Sequence, residues 1–178
     1  TTSAINGNLK PERVYSYEAG LRGTPFSWLS YNTAFFQTQW DDKIIRIADD
    51  PATYDNAGES EAKGFEAGID FHFPSGFYGS LNYTYQNSEY VEYRVGATSY
   101  NGNRLPRVSE HLLGVSLGYS STYGTLVYYP NYSSEKFFDS GNKVEWPDYW
   151  IHNLKYTKRF ESLAPQLEFY ISGENLTD

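Results

Sequence analysis

Gly64-Phe65-Glu66-Ala67-Gly68-Ile69-Asp70-Phe71-His72-Phe73, then Pro74-Ser75-Gly76, then Phe77-Tyr78-Gly79-Ser80-Leu81-Asn82-Tyr83-Thr84-Tyr85-Gln86: this run decides the fold. Before the turn, Phe65, Ala67, Ile69, Phe71 and Phe73 alternate with Gly64, Glu66, Gly68, Asp70 and His72. After it, Phe77, Leu81, Tyr83 and Tyr85 alternate with Ser80, Asn82, Thr84 and Gln86. Successive side chains of a strand point to opposite faces, so the pattern describes two strands, each with one apolar and one polar face. The three residues between them make a tight turn and hence an antiparallel hairpin. Each arm, the second reaching Tyr90, outruns the usual five or six residues of a soluble strand. At about 3.3 Å per residue, a tilted arm of this length covers the roughly 25 Å apolar band of an outer-membrane barrel.

Composition points the same way. Aromatic residues make up 19% of the 178, with 18 Tyr and 11 Phe, yet mean hydropathy is only −0.62. No apolar run approaches the length of a membrane helix. A transmembrane barrel combines these features because only alternate residues meet lipid, while aromatics gather at the two interfaces. The net charge of −8 and the absence of a basic stripe disfavour nucleic acid and other anionic surfaces. With no cysteine there is no disulfide framework and no thiolate metal site. The N-terminus carries no charged-then-apolar export signal, so such a signal is expected to lie outside this chain.

Working outward, the pattern predicts about eight strands and no helix of consequence. The first carries Tyr15, Tyr17, Ala19 and Leu21; the second runs from Trp28 to about Trp40 with an alternation too weak to assign its lipid face. An acidic loop is expected from Asp41 to about Ser60, ahead of the central hairpin. A second long connection ends in Gly102-Asn103-Arg104-Leu105-Pro106-Arg107 before a fifth strand from His111 to Tyr119. The sixth, from Gly124 to about Tyr132, is interrupted by Pro130, which is expected to stop its ladder. After a third long loop, Asn131 to Asp148, come Tyr149 to Phe160, a turn at Glu161 to Pro165, and a last strand through Leu167, Phe169 and Ile171.

Short turns and long loops alternate, four of the former and three of the latter by this reading, as expected for barrels with short periplasmic turns. A complete eight-stranded barrel with periplasmic termini would reverse the count. Open sheet edges are not tolerated in hydrocarbon, so the expectation is a piece of a larger barrel. Two rivals fit the alternation: a small complete outer-membrane barrel with an adhesive or structural role, and a soluble β-barrel or sandwich binding a small ligand or glycan.

The punctuation is more specific. Leu9-Lys10-Pro11-Glu12 with Ser16-Tyr17-Glu18-Ala19-Gly20-Leu21-Arg22, Asn56-Ala57-Gly58 leading to Lys63-Gly64-Phe65-Glu66, Leu105-Pro106 ahead of His111, and Glu174-Asn175-Leu176-Thr177-Asp178 occur in an ordered succession along nearly the whole chain. That succession resembles the C-terminal barrel half of TonB-dependent outer-membrane receptors, and most of all their iron-chelate branch, ferric citrate receptors included. The resemblance implies an all-β antiparallel fold, with residues 1–178 as strands fourteen to twenty-one of a 22-stranded barrel. It also implies a plug domain, earlier strands and a closing strand outside this sequence. The function implied is active uptake of a ferric siderophore or ferric citrate across the Gram-negative outer membrane, energised by TonB-ExbB-ExbD through the plug. The partners would be outer-membrane lipid and the chelate; no enzyme activity and no cofactor are implied.

Ligand contacts are expected from arginines and aromatics at the long loops: Trp40, Arg46, Tyr54, Arg94, Tyr100 and Arg104, with Arg107 and Tyr93 nearby. Guanidinium groups and rings suit an anionic, partly apolar chelate, though they also suit an ordinary barrel rim. Glu18, Arg22, Glu66, Asp70, His72 and Glu168 fall on polar faces, where the plainer reading is a wet inner wall rather than a catalytic or metal site. The aspartates of the acidic loop do not reproduce the spacing of an EF-hand, and no Ser-His-Asp arrangement or phosphate-binding glycine loop is present.

Overall fold

The computed structural model describes residues 9–46, 54–160 and 167–177, and it is all-β. The strands are β1 (Arg13–Phe26), β2 (Leu29–Arg46), β3 (Tyr54–His72), β4 (Phe77–Glu92), β5 (Arg94–Val95), β6 (Thr98–Ser99), β7 (His111–Ser121) and β8 (Gly124–Tyr128). They continue with β9 (Asn131–Ser133), β10 (Lys136–Phe137), β11 (Glu145–Trp146), β12 (Tyr149–Ile151), β13 (Leu154–Phe160) and β14 (Leu167–Gly173). The main sheet has the antiparallel order β1-β2-β3-β4-β7-β8-β13-β14. β9 and β12 pair with each other in the register that β8 and β13 keep, so β8 with β9, and β12 with β13, are single strands locally interrupted. Eight strands result. The short pairs β5-β6 and β10-β11 stand in the long connections.

The register sorts the two faces. One row reads Ala19, Phe35, Phe65, Tyr85, His111, and the next Leu21, Thr33, Ala67, Tyr83, Leu113. On the opposite face the rows read Arg22, Asn32, Gly68, Asn82, Gly114, and Ser30, Asp70, Ser80, Ser116. Pairing thereby assigns β2, whose own sequence leaves its lipid face open: Tyr31 and Phe35 lie on the apolar side, Asn32 and Phe36 on the polar one. The apolar face is bare, with Tyr17 70% exposed and Phe35 64%. Accessible surface totals 12286 Å², against about 8,800 Å² expected of a folded soluble monomer of this mass. A sheet that leaves so much apolar area uncovered is built to meet another apolar phase.

Aromatic clusters mark both borders of that face. At the short-turn end Phe26, Trp28 and Phe73 stack in series, with centroids 5.4 and 5.1 Å apart. At the other end Phe65 meets Phe35 and Tyr85, and Tyr85 meets His111 at 5.3 Å. His111 in that row is engaged by the Tyr83 phenol at Nδ1, 2.8 Å away, and further round the sheet Tyr128 meets His152 Nδ1 at 2.5 Å. From Phe65 to Phe73 the strand covers about 26 Å, or about 20 Å of height at the tilt usual for barrels. Above Phe65 the same face turns charged, with Lys63 and Glu61 2.6 Å apart.

Two expectations are corrected. The acidic segment is not a loop from Asp41 to Ser60: Lys43 faces Ala57, Ile44 faces Asn56 and Arg46 faces Tyr54, so the hairpin continues well above the apolar band. Ladder hydrogen bonds need no apolar face once both sides are in water, which is why alternation fades while pairing persists. Asp49 and Asp50, and the turn expected at Glu161 to Pro165, lie outside the described residues. Nor does Pro130 stop its ladder: it ends β8, yet Pro130 O still accepts from Val115 N at 3.0 Å, and Asn131 resumes opposite Gly114. Proline lacks only a donor, so its carbonyl keeps the contact.

The central turn shows why Gly76 is required. Gly76 N donates to Phe73 O at 3.0 Å with φ at +93°, a type I turn closed by a left-handed residue.

Candidate functional site

What little core the described residues have lies at the long-loop end, where β4 runs past the sheet and the connections fold back over it. Tyr90, Tyr93 and Leu105 are buried together, with Tyr100 stacked on Tyr93 at 5.2 Å. Tyr90 is only 2% exposed; its hydroxyl meets Ser140 at 3.1 Å. Burial pushes its phenol pKa up, against the Ser140 hydrogen bond.

Polar staples hold the two long connections to one another. Arg104 lies between Glu110 (3.4 Å) and Glu135 (3.6 Å), and its guanidinium covers the ring of Phe137. Asn142 closes a two-way clamp on the same residue: Arg104 N donates to its Oδ1 at 2.7 Å, and its Nδ2 donates to Arg104 O at 2.9 Å. Asp139 accepts from the backbone N–H groups of Gly141, Lys143 and Val144. Those donors, that of Val144 first, hold its carboxyl below the ordinary carboxylate range.

Under these connections, on the inner polar face, is a cavity of about 620 Å³. Its walls come from Trp40 on β2, Ala62 on β3, Ser88 on β4, Leu112 on β7, Ser133 on β9 and Tyr149 on β12, with Leu105, Arg107, Val108, Ser109 and Lys136 contributed by the connections. Register places these side chains together: Ala62 faces Ser88 and Ser133 faces both Leu112 and Tyr149. Asp42, with φ at +55°, interrupts the alternation of β2 between Trp40 and Lys43, and both residues line the cavity.

The electrostatics of this space oppose those of the chain. Lys43, Arg107 and Lys136 line it, and none of its lining residues is Asp or Glu. None of the three cations takes part in an ion pair among the described residues. Each rests on an aromatic ring instead: Lys43 on Trp40 at 4.8 Å, Arg107 on Phe138 at 4.6 Å and Lys136 on Tyr149 at 4.9 Å. Rings orient a cation without cancelling its charge. Burial lowers the Lys43 ammonium pKa, offset in part by the Glu12 carboxylate. Arg107 itself has φ at +65°, held by its N–H to Phe137 O at 2.6 Å. A non-glycine residue there stores strain, and such strain collects at binding sites.

Of the residues singled out in the sequence, Trp40 and Arg107 line this cavity. Arg46 and Tyr54 face each other at the top of the β2-β3 hairpin, Arg94 is exposed on β5, and Tyr100 belongs to the small core. Arg104 is occupied by its two glutamates. On the lower inner wall Glu18, Arg22, Glu66, Asp70 and His72 are exposed on the polar face, and Glu168 is paired with Arg159 at 2.5 Å. No His, Cys, Asp and Glu cluster fit to hold a metal occurs among the described residues. Lys43, Lys136 and Tyr149 escape a sequence reading because three separate strands deliver them; only register reveals that they meet.

Comparison with known proteins places this geometry. Residues 1–176 match the family model described as TonB dependent receptor-like, beta-barrel. The probable TonB-dependent siderophore receptor PiuA of Acinetobacter baumannii is 32% identical over an alignment of 117 positions that covers 61% of this chain and 16% of that protein. The crystal structure of the ferric yersiniabactin uptake receptor FyuA from Yersinia pestis superposes with a TM-score of 0.70 at 24% identity, over 94% of this chain and 25% of that one. The unliganded ferric citrate transporter FecA superposes at 0.80 with 18% identity, over 97% of this chain and 27% of that one. The chain thus spans about a quarter of the length of these solved structures.

Proposed function

This chain belongs to the TonB-dependent receptor β-barrel family, and on that premise we propose that it supplies barrel wall and extracellular rim to an outer-membrane receptor for a ferric siderophore or ferric citrate. Members of this family are receptors and transporters rather than enzymes. In this reading residues 1–178 are strands fourteen to twenty-one of a 22-stranded barrel, closed by further strands beyond the edges β1 and β14. The complete receptor captures its chelate from outside and admits it when TonB-ExbB-ExbD acts on a plug domain.

The observation that carries the reading is the cavity: three cations on aromatic rings and no carboxylate in its lining, beneath the long connections of a strongly acidic chain. Such a space attracts an anionic chelate by charge and retains it by ring contact. The outward face, apolar between two aromatic borders, supports placement in the outer membrane. Relatives named for siderophore, yersiniabactin and ferric citrate uptake point to the same ligand class.

The test is uptake. Full-length receptor is expressed in an iron-starved Gram-negative host without its own ferric citrate and catecholate receptors, and supplied with radiolabelled iron as each chelate. TonB-dependent accumulation is expected for at least one. Accumulation of neither, from a correctly inserted receptor, overturns the reading.

A further inference from the structure

The connection that follows β6 carries an Asn-Gly pair, Asn101-Gly102. This dipeptide is the one most prone to modify itself. The glycine backbone nitrogen, once it loses its proton, attacks the carbonyl carbon of the asparagine side chain; ammonia leaves and a succinimide ring closes. Water then opens the ring to aspartate or to isoaspartate, in which the main chain runs through the side-chain carbons. Glycine favours the attack because no Cβ hinders its nitrogen. The other such pair in the sequence, Asn6-Gly7, lies outside the described residues.

Asn101 and Gly102 are both exposed, and nothing lies within 4 Å of the place a Cβ on Gly102 would take, so water and base reach the pair freely. What restrains the reaction is hydrogen bonding. Tyr100 to Asn103 form a turn closed by Asn103 N donating to Tyr100 O at 3.0 Å, with Gly102 at φ +77° as a type II turn requires. The nucleophile is occupied, since Gly102 N donates to Tyr90 O at 2.8 Å. The side chain it would attack is fixed as well, with Tyr93 N donating to Asn101 Oδ1 at 2.9 Å. Both anchors are buried residues of the small rim core, Tyr90 and Tyr93. Tyr90 is tied in turn by its hydroxyl to Ser140 on the far connection, at 3.1 Å. A hydrogen-bonded amide gives up its proton only when the bond opens, so the attack must wait for the same local opening that admits amide exchange.

We propose that Asn101-Gly102 is a latent modification site gated by the rim. Deamidation proceeds only through the state in which the turn has left Tyr90 and Tyr93. The isoaspartate formed lengthens the backbone of the turn and keeps it from closing on those anchors again. Each opening of the rim thus carries a chance of an irreversible, negatively charged change, and the pair acts as a record of rim opening. The inference does not depend on the transport reading above.

The experiment follows two reactions of one nitrogen. Purified whole receptor and a synthetic peptide of residues 95–104 are incubated at mildly alkaline pH. Deamidation of Asn101 is quantified by mass spectrometry of the tryptic peptide 95–104, and amide exchange of Gly102 is measured in parallel. Wild type is expected to deamidate about a hundredfold more slowly than the peptide. Tyr90→Phe and Ser140→Ala each remove the hydrogen bond on the Tyr90 hydroxyl, and each should raise both rates by the same factor, about fivefold, with unchanged melting temperature as the folding control. Receptor already converted to isoaspartate should have lost its protection at Gly102. Deamidation of wild type at the peptide's rate, a change in one rate without the other or in neither, or protection retained after conversion overturns the inference.

Discussion

β3 is two strands laid end to end. From Phe65 down, its odd residues meet an apolar face and its even residues a polar one; from Lys63 up, the odd residues Lys63, Glu61 and Glu59 are charged, while Ala62 and Ser60 on the other face are covered by the rim. The lower half gains its definition from what surrounds it, the upper half from what it bonds to. In the proposed receptor, stability of the wall follows burial of its apolar face; at the rim it follows named polar contacts, Arg104 with two glutamates and Asp139 with three backbone donors. Substitutions that are harmless in one half should therefore be costly in the other.

The largest contrast comes from one substitution placed at two heights. Leu81→Arg, in the row with Ile69 and Val115, is expected to cost about 2–4 kcal/mol in urea unfolding of the receptor in lipid vesicles. Gln39→Arg, on the same outward face but opposite Glu61, should stay within about 0.5 kcal/mol. Equal costs would erase the border drawn between Phe65 and Lys63.

At the rim, Arg104→Ala leaves Glu110 and Glu135 facing each other without their shared cation. We expect about 2 kcal/mol less local stability, read as faster amide exchange across residues 103–109 and 135–142, with the wall strands unaffected. Arg107→Gln, three residues on, serves as the control, since no carboxylate among the described residues pairs with it.

A smaller effect should appear with acid. Asp139 has its pKa depressed by the backbone N–H groups it accepts from, so its contribution is complete above the unfolded value of about 3.9 and disappears as pH falls through the lower folded value. Protection of Gly141, Lys143 and Val144 should hold from neutral pH to about 4.5 and decline below it, whereas in Asp139→Asn it should be weaker at neutrality and flat with pH. The smallest change is expected at Ser60, fully buried between Trp40 and Tyr90 with no hydrogen-bond partner for its Oγ among the described residues. Ser60→Ala should be neutral or stabilising by less than about 1 kcal/mol in the same unfolding measurement.

The same division explains what the sequence disclosed. Gly64 to Gln86 is legible because a sheet with one apolar and one polar face forces a period of two. Asp41 to Arg46 and Tyr54 to Glu59 are not, because beyond the apolar band a paired strand has no reason to alternate, and these residues read as an acidic loop. Pro130 reads as a terminus because its missing donor is visible in sequence, while its carbonyl contact to Val115 is not. At the candidate site, Trp40 stands out by residue type alone. Lys43, Lys136 and Tyr149 do not, since no local spacing joins residues so far apart in the chain, and Arg104 and Arg107 look alike until Glu110 and Glu135 are seen to claim one and leave the other.

The most direct test of the account is a spin-label scan along β3, for which a chain without cysteine is well suited. Single labels at Glu61, Lys63, Phe65, Glu66, Ala67, Ile69, Asp70, Phe71 and His72 of the membrane-embedded receptor are compared for collisions with oxygen, which concentrates in lipid, and with a water-soluble nickel chelate. The account predicts high oxygen and low nickel access at Phe65, Ala67, Ile69 and Phe71, low oxygen access at Glu66, Asp70 and His72, and high nickel access at Lys63 and Glu61. Nickel access at Ile69, or oxygen access in the opposite phase, would contradict it.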